Sequence, residues 1–160
     1  MTCRRCNCSL ATYCQARYFE AMANILLISD ATVVLDELLA VVDDGVNEIT
    51  TLRSADHLRT TVDITEPDLV ITDCQVQSMG GIAICLDLKL EESGGRLPHV
   101  PVLILLDRRA DVFLAKTASA EGYLVKPLDP IRLRHAIEAL LADGTYRDES
   151  YKPITVQRTS

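Results

Sequence analysis

Residues 67–73 read PDLVITD, a short apolar run that begins after a proline and ends at a carboxylate, Asp73. An unbroken run of branched aliphatic residues is typical of a strand that is buried on both faces. Such strands occur in parallel sheets whose two faces are covered by helices. The stretch therefore predicts a central strand over residues 68–72, with Asp73 at its carboxyl end.

The same kind of segment recurs on both sides of this strand. Four further strands are predicted at residues 24–28, 48–52, 102–106 and 122–125. Helical apolar stripes separate the strands, at residues 32–42, 55–64, 82–92, 110–120 and 129–142. Five strands that alternate with five helices predict an α/β fold, a doubly wound five-stranded parallel sheet with helices on both faces.

Length and composition fit one domain of this class. The chain has 160 residues, of which 48% are hydrophobic, and its formal net charge is −7. No apolar run is long enough to span a bilayer, and no signal-peptide core follows the first arginines, so we expect a cytoplasmic protein without membrane insertion. The negative charge disfavours nucleic acid as a partner, because non-specific binding to it relies on clustered Lys and Arg.

The charge divides the chain into three segments. Residues 22–143 carry a formal charge of −10, whereas residues 1–21 carry +2 and residues 144–160 carry +1. The two flanking segments are poor in aliphatic residues and are not expected to build a core. We therefore predict a domain at 22–143 between an N-terminal extension and a C-terminal tail. Whether Met1 or Met22 is the natural start stays open.

The N-terminal extension is rich in cysteine. Its cysteines are Cys3, Cys6, Cys8 and Cys14. Four thiolates could bind zinc, although the one-residue gap between the second and the third is unusual for a zinc site. The alternative is a leader translated upstream of a start at Met22, with incidental thiols. Cys74 and Cys85 lie in apolar segments and are predicted to be small buried side chains.

Charged residues stand where three of the predicted strands end. Asp30 follows the first strand, Asp73 ends the third and Lys126 follows the fifth. The carboxyl ends of parallel strands share one edge of the sheet, and binding sites gather there. Each residue alone would be a cap or a solvated surface group. Together they predict a nucleophilic Asp73, a metal ligand at Asp30 and a charge partner at Lys126, the parts needed to form an acyl phosphate.

This arrangement resembles the receiver domains of bacterial two-component response regulators. The resemblance covers about residues 23–142 and rests on three motifs, ILLISD at 25–30, PDLVITD at 67–73 and GYLVKP at 122–127. It implies a flavodoxin-like fold and phosphorylation of Asp73. It also implies a Mg²⁺ site formed by Asp30, Asp73 and the backbone carbonyl of Gln75.

The chain departs from the family pattern at three places. Ser29 replaces the first of two adjacent acids, so the Mg²⁺ site is expected to be weakened. Leu106 replaces a Thr or Ser whose hydroxyl normally couples the phosphoryl group to a switch aromatic, here Tyr123, and leucine cannot donate that hydrogen bond. Gln77 and Gly80 replace a proline and an acid in the loop after the phosphoacceptor, which is expected to be looser.

Asp107 directly follows the fourth predicted strand and is a candidate residue of the same pocket. We hypothesise that Asp107 or Asp73 pairs with Lys126 and holds the resting site in one state. The alternative is that Asp107 opens a solvated loop together with Arg108 and Arg109.

The sequence favours an atypical, stand-alone receiver that is not an enzyme and acts by binding proteins. Its partners would be a histidine kinase or phosphotransfer protein and a downstream target. No output domain is expected, because the tail after Gly144 is too short for a DNA-binding unit. The resemblance implies a contact surface over residues 110–120, 122–125 and 129–142. Side chains on that surface would include Lys116, Tyr123, Arg132 and Arg134.

The main alternative is a constitutive accessory subunit of a larger multi-subunit enzyme assembly that has kept the receiver fold. The altered switch and the two basic segments suit that role, because permanent docking does not need phosphorylation. A small enzyme or flavin carrier on the same fold is disfavoured. No glycine-rich phosphate loop follows the first strand, and no base is placed beside Ser29 by the sequence.

Overall fold

A computed structural model describes residues 22–150, which form an α/β domain around one parallel sheet. The strands are β1 (Asn24–Ile28), β2 (Glu48–Leu52), β3 (Leu69–Asp73), β4 (Val102–Leu106), β5 (Gly122–Val125) and β6 (Tyr146–Arg147). The helices are α1 (Thr32–Val42), α2 (Leu58–Thr65), α3 (Gly81–Ser93), α4 (Val112–Thr117) and α5 (Pro130–Leu141). The strand order is β2-β1-β3-β4-β5-β6.

The core lies in two layers, one on each face of the sheet. Every residue of β3, β4 and β5 is buried, as the unbroken apolar runs predicted. Alternate side chains of these strands pack against α2, α3 and α4 on one face and against α1 and α5 on the other. The doubly wound arrangement with helices on both faces is therefore confirmed.

Helix ends follow the local chemistry of the chain. Asp129 caps α5 as predicted, since its Oδ1 accepts hydrogen bonds from the backbone N–H groups of Ile131 (3.0 Å) and Arg132 (2.9 Å). The helix predicted over 110–120 is shorter in the structure, because a 3₁₀ turn precedes α4 and Ser119 takes a positive φ of 59° just after it. Its first and last residues therefore lie outside the α-helix.

The prediction of five strands misses one. The sixth strand, β6, has two residues and lies parallel to β5 at the edge of the sheet. The Tyr146 N–H donates to the Glu121 carbonyl (3.0 Å), and the Asp148 N–H donates to the Tyr123 carbonyl (3.3 Å). No apolar run marks this segment, so its pairing leaves no periodic signal. Residues 144–150, which the charge pattern placed in the tail, include this strand.

Within residues 22–150, no helix is long and apolar enough to cross a membrane. The four cysteines of the N-terminal extension lie outside the described residues. Cys74 is half-buried, and Cys85 is fully buried as a free thiol. Burial raises the pKa of the Cys85 thiol to about 12, so this side chain is a core residue with little thiolate character.

Candidate functional site

The predicted polar residues lie at the carboxyl ends of β1, β3 and β5, which face the same end of the sheet. Ser29 and Asp30 directly follow β1, and Lys126 directly follows β5. Asp73 is the last residue of β3 and pairs with Leu105 of β4, so it lies in the strand and not after it. Asp73 is therefore a buried residue of the sheet itself, at the carboxyl end of β3.

The Asp73 carboxylate is held by three donors. Its side chain is 2% exposed, and Lys126 Nζ donates to Oδ1 at 2.7 Å. The backbone N–H of Gln75 also donates to Oδ1 (3.3 Å), while the Ser29 hydroxyl donates to Oδ2 (3.3 Å). Both carboxylate oxygens of this buried side chain are therefore engaged in hydrogen bonds.

Lys126 contacts two carboxylates at once. Its Nζ lies 2.7 Å from Asp73 Oδ1 and 2.9 Å from Asp107 Oδ1. Burial acts to lower the pKa of Lys126, but its hydrogen bonds to the two carboxylates outweigh burial, and the pKa is raised. The ammonium group therefore stays charged, and Asp107 faces the same crevice as Asp73. The peptide bond between Lys126 and Pro127 is cis.

Ser29 and Asp30 have different surroundings. Ser29 is fully buried, and its hydroxyl accepts a hydrogen bond from the Ala31 N–H (3.2 Å) while it donates to Asp73. Asp30 is half-exposed, and its Oδ2 accepts from the Gln77 N–H (3.1 Å). Asp30 thus ties the end of β1 to the loop that follows β3.

The oxygen atoms at the carboxyl end of the sheet are the type of ligand that Mg²⁺ prefers. Among the described residues, no group of three or more His, Cys, Asp or Glu side chains could hold a metal ion. Mg²⁺ nevertheless needs only one or two carboxylates, with water and phosphate oxygens as its other ligands. Asp30 and Asp73 supply two carboxylates at this end of the sheet, with Ser29 in place of a further charge. The Gln75 carbonyl is the additional oxygen ligand that the resemblance implies.

Leu106 fills the position where the resemblance implies a hydroxyl. It is fully buried and belongs to the same core cluster as Tyr123, which is 3% exposed. Lys116 Nζ lies 6.0 Å from the centre of the Tyr123 ring. The aromatic side chain is therefore buried in a cluster that includes Leu106, which cannot donate a hydrogen bond to a phosphoryl oxygen.

Gly81 is a site residue that the sequence reasoning missed. Its N–H donates to the Cys74 carbonyl (3.1 Å), which brings the start of α3 against the end of β3. A Cβ atom at this position would lie 2.3 Å from the backbone oxygen of Asp73. The sequence pointed to this position only through the Gly80–Gly81 pair. Such a pair indicates a turn before a helix, and it does not reveal a close contact with the backbone of another strand.

Comparison with protein families gives one match over most of the domain. A family model described as response regulator receiver domain matches residues 25–138. The nitrate/nitrite response regulator protein homolog of Haemophilus influenzae is 26% identical over 95 residues, which cover 59% of this chain and 44% of that protein. The DNA-binding response regulator MtrA of Mycobacterium tuberculosis is 28% identical over 135 residues, covering 76% of this chain and 52% of MtrA. The chain thus spans about half the length of these two relatives.

Chemotaxis protein CheY-3 of Vibrio cholerae is a shorter relative, 27% identical over 100 residues that cover 61% of this chain and 67% of CheY-3. Among solved structures, a LuxR-family two-component response regulator from Aurantimonas has a TM-score of 0.70 at 24% identity, over 81% of this chain and 92% of that one. A response regulator from Chloroflexus aurantiacus has a TM-score of 0.68 at 22% identity, over 76% and 98%. At these identities the structural matches establish the fold.

Proposed function

Because the chain belongs to the family of response-regulator receiver domains, we propose that it accepts a phosphoryl group on Asp73 and acts by binding other proteins. The observation that carries this proposal is the buried Asp73 carboxylate at the carboxyl end of β3, with Lys126 Nζ at 2.7 Å. Its partners would be a histidine kinase or phosphotransfer protein and a downstream target, in the cytoplasm. No catalytic activity on another substrate is part of the proposal.

The chemistry follows from the groups at the edge of the sheet. A carboxylate oxygen of Asp73 attacks phosphorus, the bond from phosphorus to the donor breaks, and the donor leaves with the electron pair. Lys126 then neutralises charge on the transferred oxygens. Asp30, Asp73 and the Gln75 carbonyl would hold Mg²⁺, which screens the repulsion between the carboxylate and the phosphodonor. Ser29 supplies a hydroxyl where a second acid would add charge, which supports a weakened metal site.

Phosphorylation of Asp73 can be tested directly. Incubation with Mg²⁺ and acetyl phosphate is expected to add the mass of one phosphoryl group to the wild-type protein and none to Asp73→Asn, because the amide is not a nucleophile. Intact-mass spectrometry measures both. Asp107→Asn is the matched control, since it neutralises the other carboxylate on Lys126 and is expected to keep the mass gain. No gain in the wild type, or an equal gain in Asp73→Asn, would overturn the proposal.

We further propose that Leu106 uncouples the site from the aromatic switch. Changing Leu106→Thr restores a hydroxyl donor, so phosphorylation is expected to alter hydrogen exchange of α4 several-fold in this variant and little in the wild type. Leu106→Val is the control, because valine has the shape of threonine without the hydroxyl. The same exchange response in all three proteins would contradict the uncoupling.

A constitutive accessory subunit of a larger enzyme assembly is the second candidate. The apolar packing of Leu106 against the cluster that holds Tyr123 favours it, because that position has no group that senses phosphate. Native purification distinguishes the two functions. A subunit is expected to co-purify with its assembly in a fixed ratio whether or not Asp73 is replaced by Asn, whereas a regulator is expected to bind its target in a phosphorylation-dependent way.

A further inference from the structure

Asp148 is a buried carboxylate that the sequence reasoning left in the tail. Its side chain is 1% exposed, and Oδ2 accepts hydrogen bonds from the Val125 N–H (2.9 Å) and from Arg132 Nη1 (2.6 Å). Oδ1 accepts from the Ser150 N–H (2.9 Å). Burial acts to raise the pKa of Asp148, but its hydrogen bonds and the Arg132 charge outweigh burial and lower the pKa. The Asp148 carboxylate is therefore ionised, and both of its oxygens accept hydrogen bonds.

The segment around Asp148 covers the outer edge of β5. We name residues 146–150 the strap. Its contacts run along β5, because the strap N–H groups bind the carbonyls of Glu121 and Tyr123, and the Asp148 carboxylate binds the Val125 N–H. The outward-facing main-chain groups of alternate β5 residues are thus occupied. An uncovered edge would present them to another chain.

The strap lies on the surface that the resemblance implied for protein contacts, since β5 is sandwiched between α4 and α5 in that surface. It is also joined to the candidate phosphorylation site. Arg132 of α5 holds Asp148 through Nη1 and donates through Nη2 to the Pro127 carbonyl (3.0 Å). Pro127 directly follows Lys126, whose ammonium group holds Asp73. One guanidinium therefore connects the strap to the segment that carries the lysine.

We propose that the strap is a cover for the β5 edge, latched by Asp148 and Arg132, and that the state of Asp73 controls its release. A phosphoryl group on Asp73 would compete with Asp107 for Lys126, and a shift of Lys126 moves the Pro127 carbonyl that positions Arg132. This route does not need the hydroxyl that Leu106 lacks. The regulation of strap release by Asp73 rests on the proposed function, whereas the coverage of the β5 edge by the strap does not. Coupling of this kind is reciprocal, so release of the strap also changes phosphorylation.

Hydrogen exchange of the full chain tests the latch. In Asp148→Asn, the amides of Val125 and Tyr146 are expected to exchange about tenfold faster, because the charged latch is lost, while amides of β1 and β3 keep their rates. The matched control is Asp143→Asn, which removes the same charge from an exposed side chain near the strap and is expected to change none of these rates. Unchanged protection of Val125 and Tyr146 in Asp148→Asn would overturn the latch.

A second variant covers the case in which Asp148→Asn loosens the whole domain. Arg132→Lys keeps the positive charge, but an ammonium group is a single point and cannot bridge the Asp148 carboxylate and the Pro127 carbonyl as the guanidinium does. Faster exchange at the strap alone in this variant supports the latch. If Asp148→Asn acts globally and Arg132→Lys leaves the strap fully protected, the latch is wrong.

Treatment with Mg²⁺ and acetyl phosphate tests the control by Asp73. Faster exchange of Val125 and Tyr146 in the phosphorylated wild type, and not in treated Asp73→Asn, supports it. If the wild type is phosphorylated but the strap amides keep their exchange rates, then Asp73 does not regulate the strap, and the proposed function remains intact. Absence of phosphorylation overturns both the regulation by Asp73 and the proposed function, and the latch is then decided by the Asp148→Asn and Arg132→Lys variants.

Discussion

Replacing Lys126 by alanine is expected to lower the free energy of unfolding by about 2 kcal/mol and to abolish phosphoryl acceptance by Asp73. The substitution removes the only ammonium group that contacts Asp73 among the hydrogen bonds of the described residues, and it leaves a carboxylate that is 2% exposed. Ser29 and the Gln75 N–H remain as donors, so the cost is smaller than for a fully buried ion pair stripped of its partner. Urea unfolding at neutral pH and the acetyl phosphate assay measure the two effects.

The pH of the unfolding measurement matters because the pKa of Lys126 is raised in the folded protein. A raised lysine pKa contributes stability that is fully present below the unfolded value of about 10.4 and is lost as the pH rises through the folded value. Neutral pH therefore captures the whole contribution. Arg108→Ala is the control, because it also removes a cation from a buried carboxylate, Asp111. The Arg108 side chain is 74% exposed, so water screens this pair and it is worth less than about 1 kcal/mol. Equal stability of the Lys126 and Arg108 variants would contradict this account.

The parts of the fold that the sequence predicted are those in which burial dictates residue type. The runs that became β1, β3, β4 and β5 are buried almost throughout, so nearly every position had to be apolar and the pattern was readable. Asp129 likewise predicted the start of α5, because an N-cap residue needs a side chain that accepts hydrogen bonds. In these elements the local requirement and the global fold agree.

The parts that the sequence missed depend on contacts between distant residues. The strand β6 is held by main-chain hydrogen bonds and by one carboxylate, and neither imposes a periodic pattern on residues 146–150. Asp148 is an acid that a sequence analysis assigns to solvent, and it is buried because Val125 and Arg132 supply donors from elsewhere in the chain. Burial of such a group requires partners that only the tertiary structure reveals.

The candidate site lies between these two cases. Parallel topology places the ends of β1, β3 and β5 at the same end of the sheet, so the sequence predicted that Asp73 and Lys126 lie on the same side. Because β4 separates β3 from β5, the 2.7 Å contact between the two side chains is a finding of the structure. The simultaneous contact of Lys126 with Asp107 did not follow, because it depends on how the chain turns after β4. The resemblance to receiver domains implied the roles of Asp73, Asp30 and Lys126, whereas the distances between side chains come from the structure.

Changing Gly81→Ala is expected to destabilise the domain by about 2 kcal/mol, a typical cost of overpacking, and to slow phosphorylation of Asp73. The added Cβ would lie 2.3 Å from the Asp73 carbonyl oxygen and 3.0 Å from its carbonyl carbon, and backbone atoms cannot turn aside as a side chain can. The start of α3 must therefore move away from β3, a strain that outweighs the helix propensity of alanine, worth about 1 kcal/mol. Because the clash falls on the residue that carries the carboxylate, stability and phosphoryl transfer should fall together in urea unfolding and mass spectrometry.

Gly94→Ala provides the comparison at the other end of the same helix. Its Cβ would meet only the flexible guanidinium end of Arg96, a 58% exposed side chain that pairs with Glu91, and the Gly94 φ of −79° suits alanine. We expect a change in the free energy of unfolding within about 0.5 kcal/mol and a wild-type rate of phosphorylation. A Gly81→Ala protein that matches Gly94→Ala in both measurements would mean that α3 can shift without moving Asp73. The tight contact would then play no part in positioning the carboxylate, and Lys126, Ser29 and the Gln75 N–H would be sufficient to hold it.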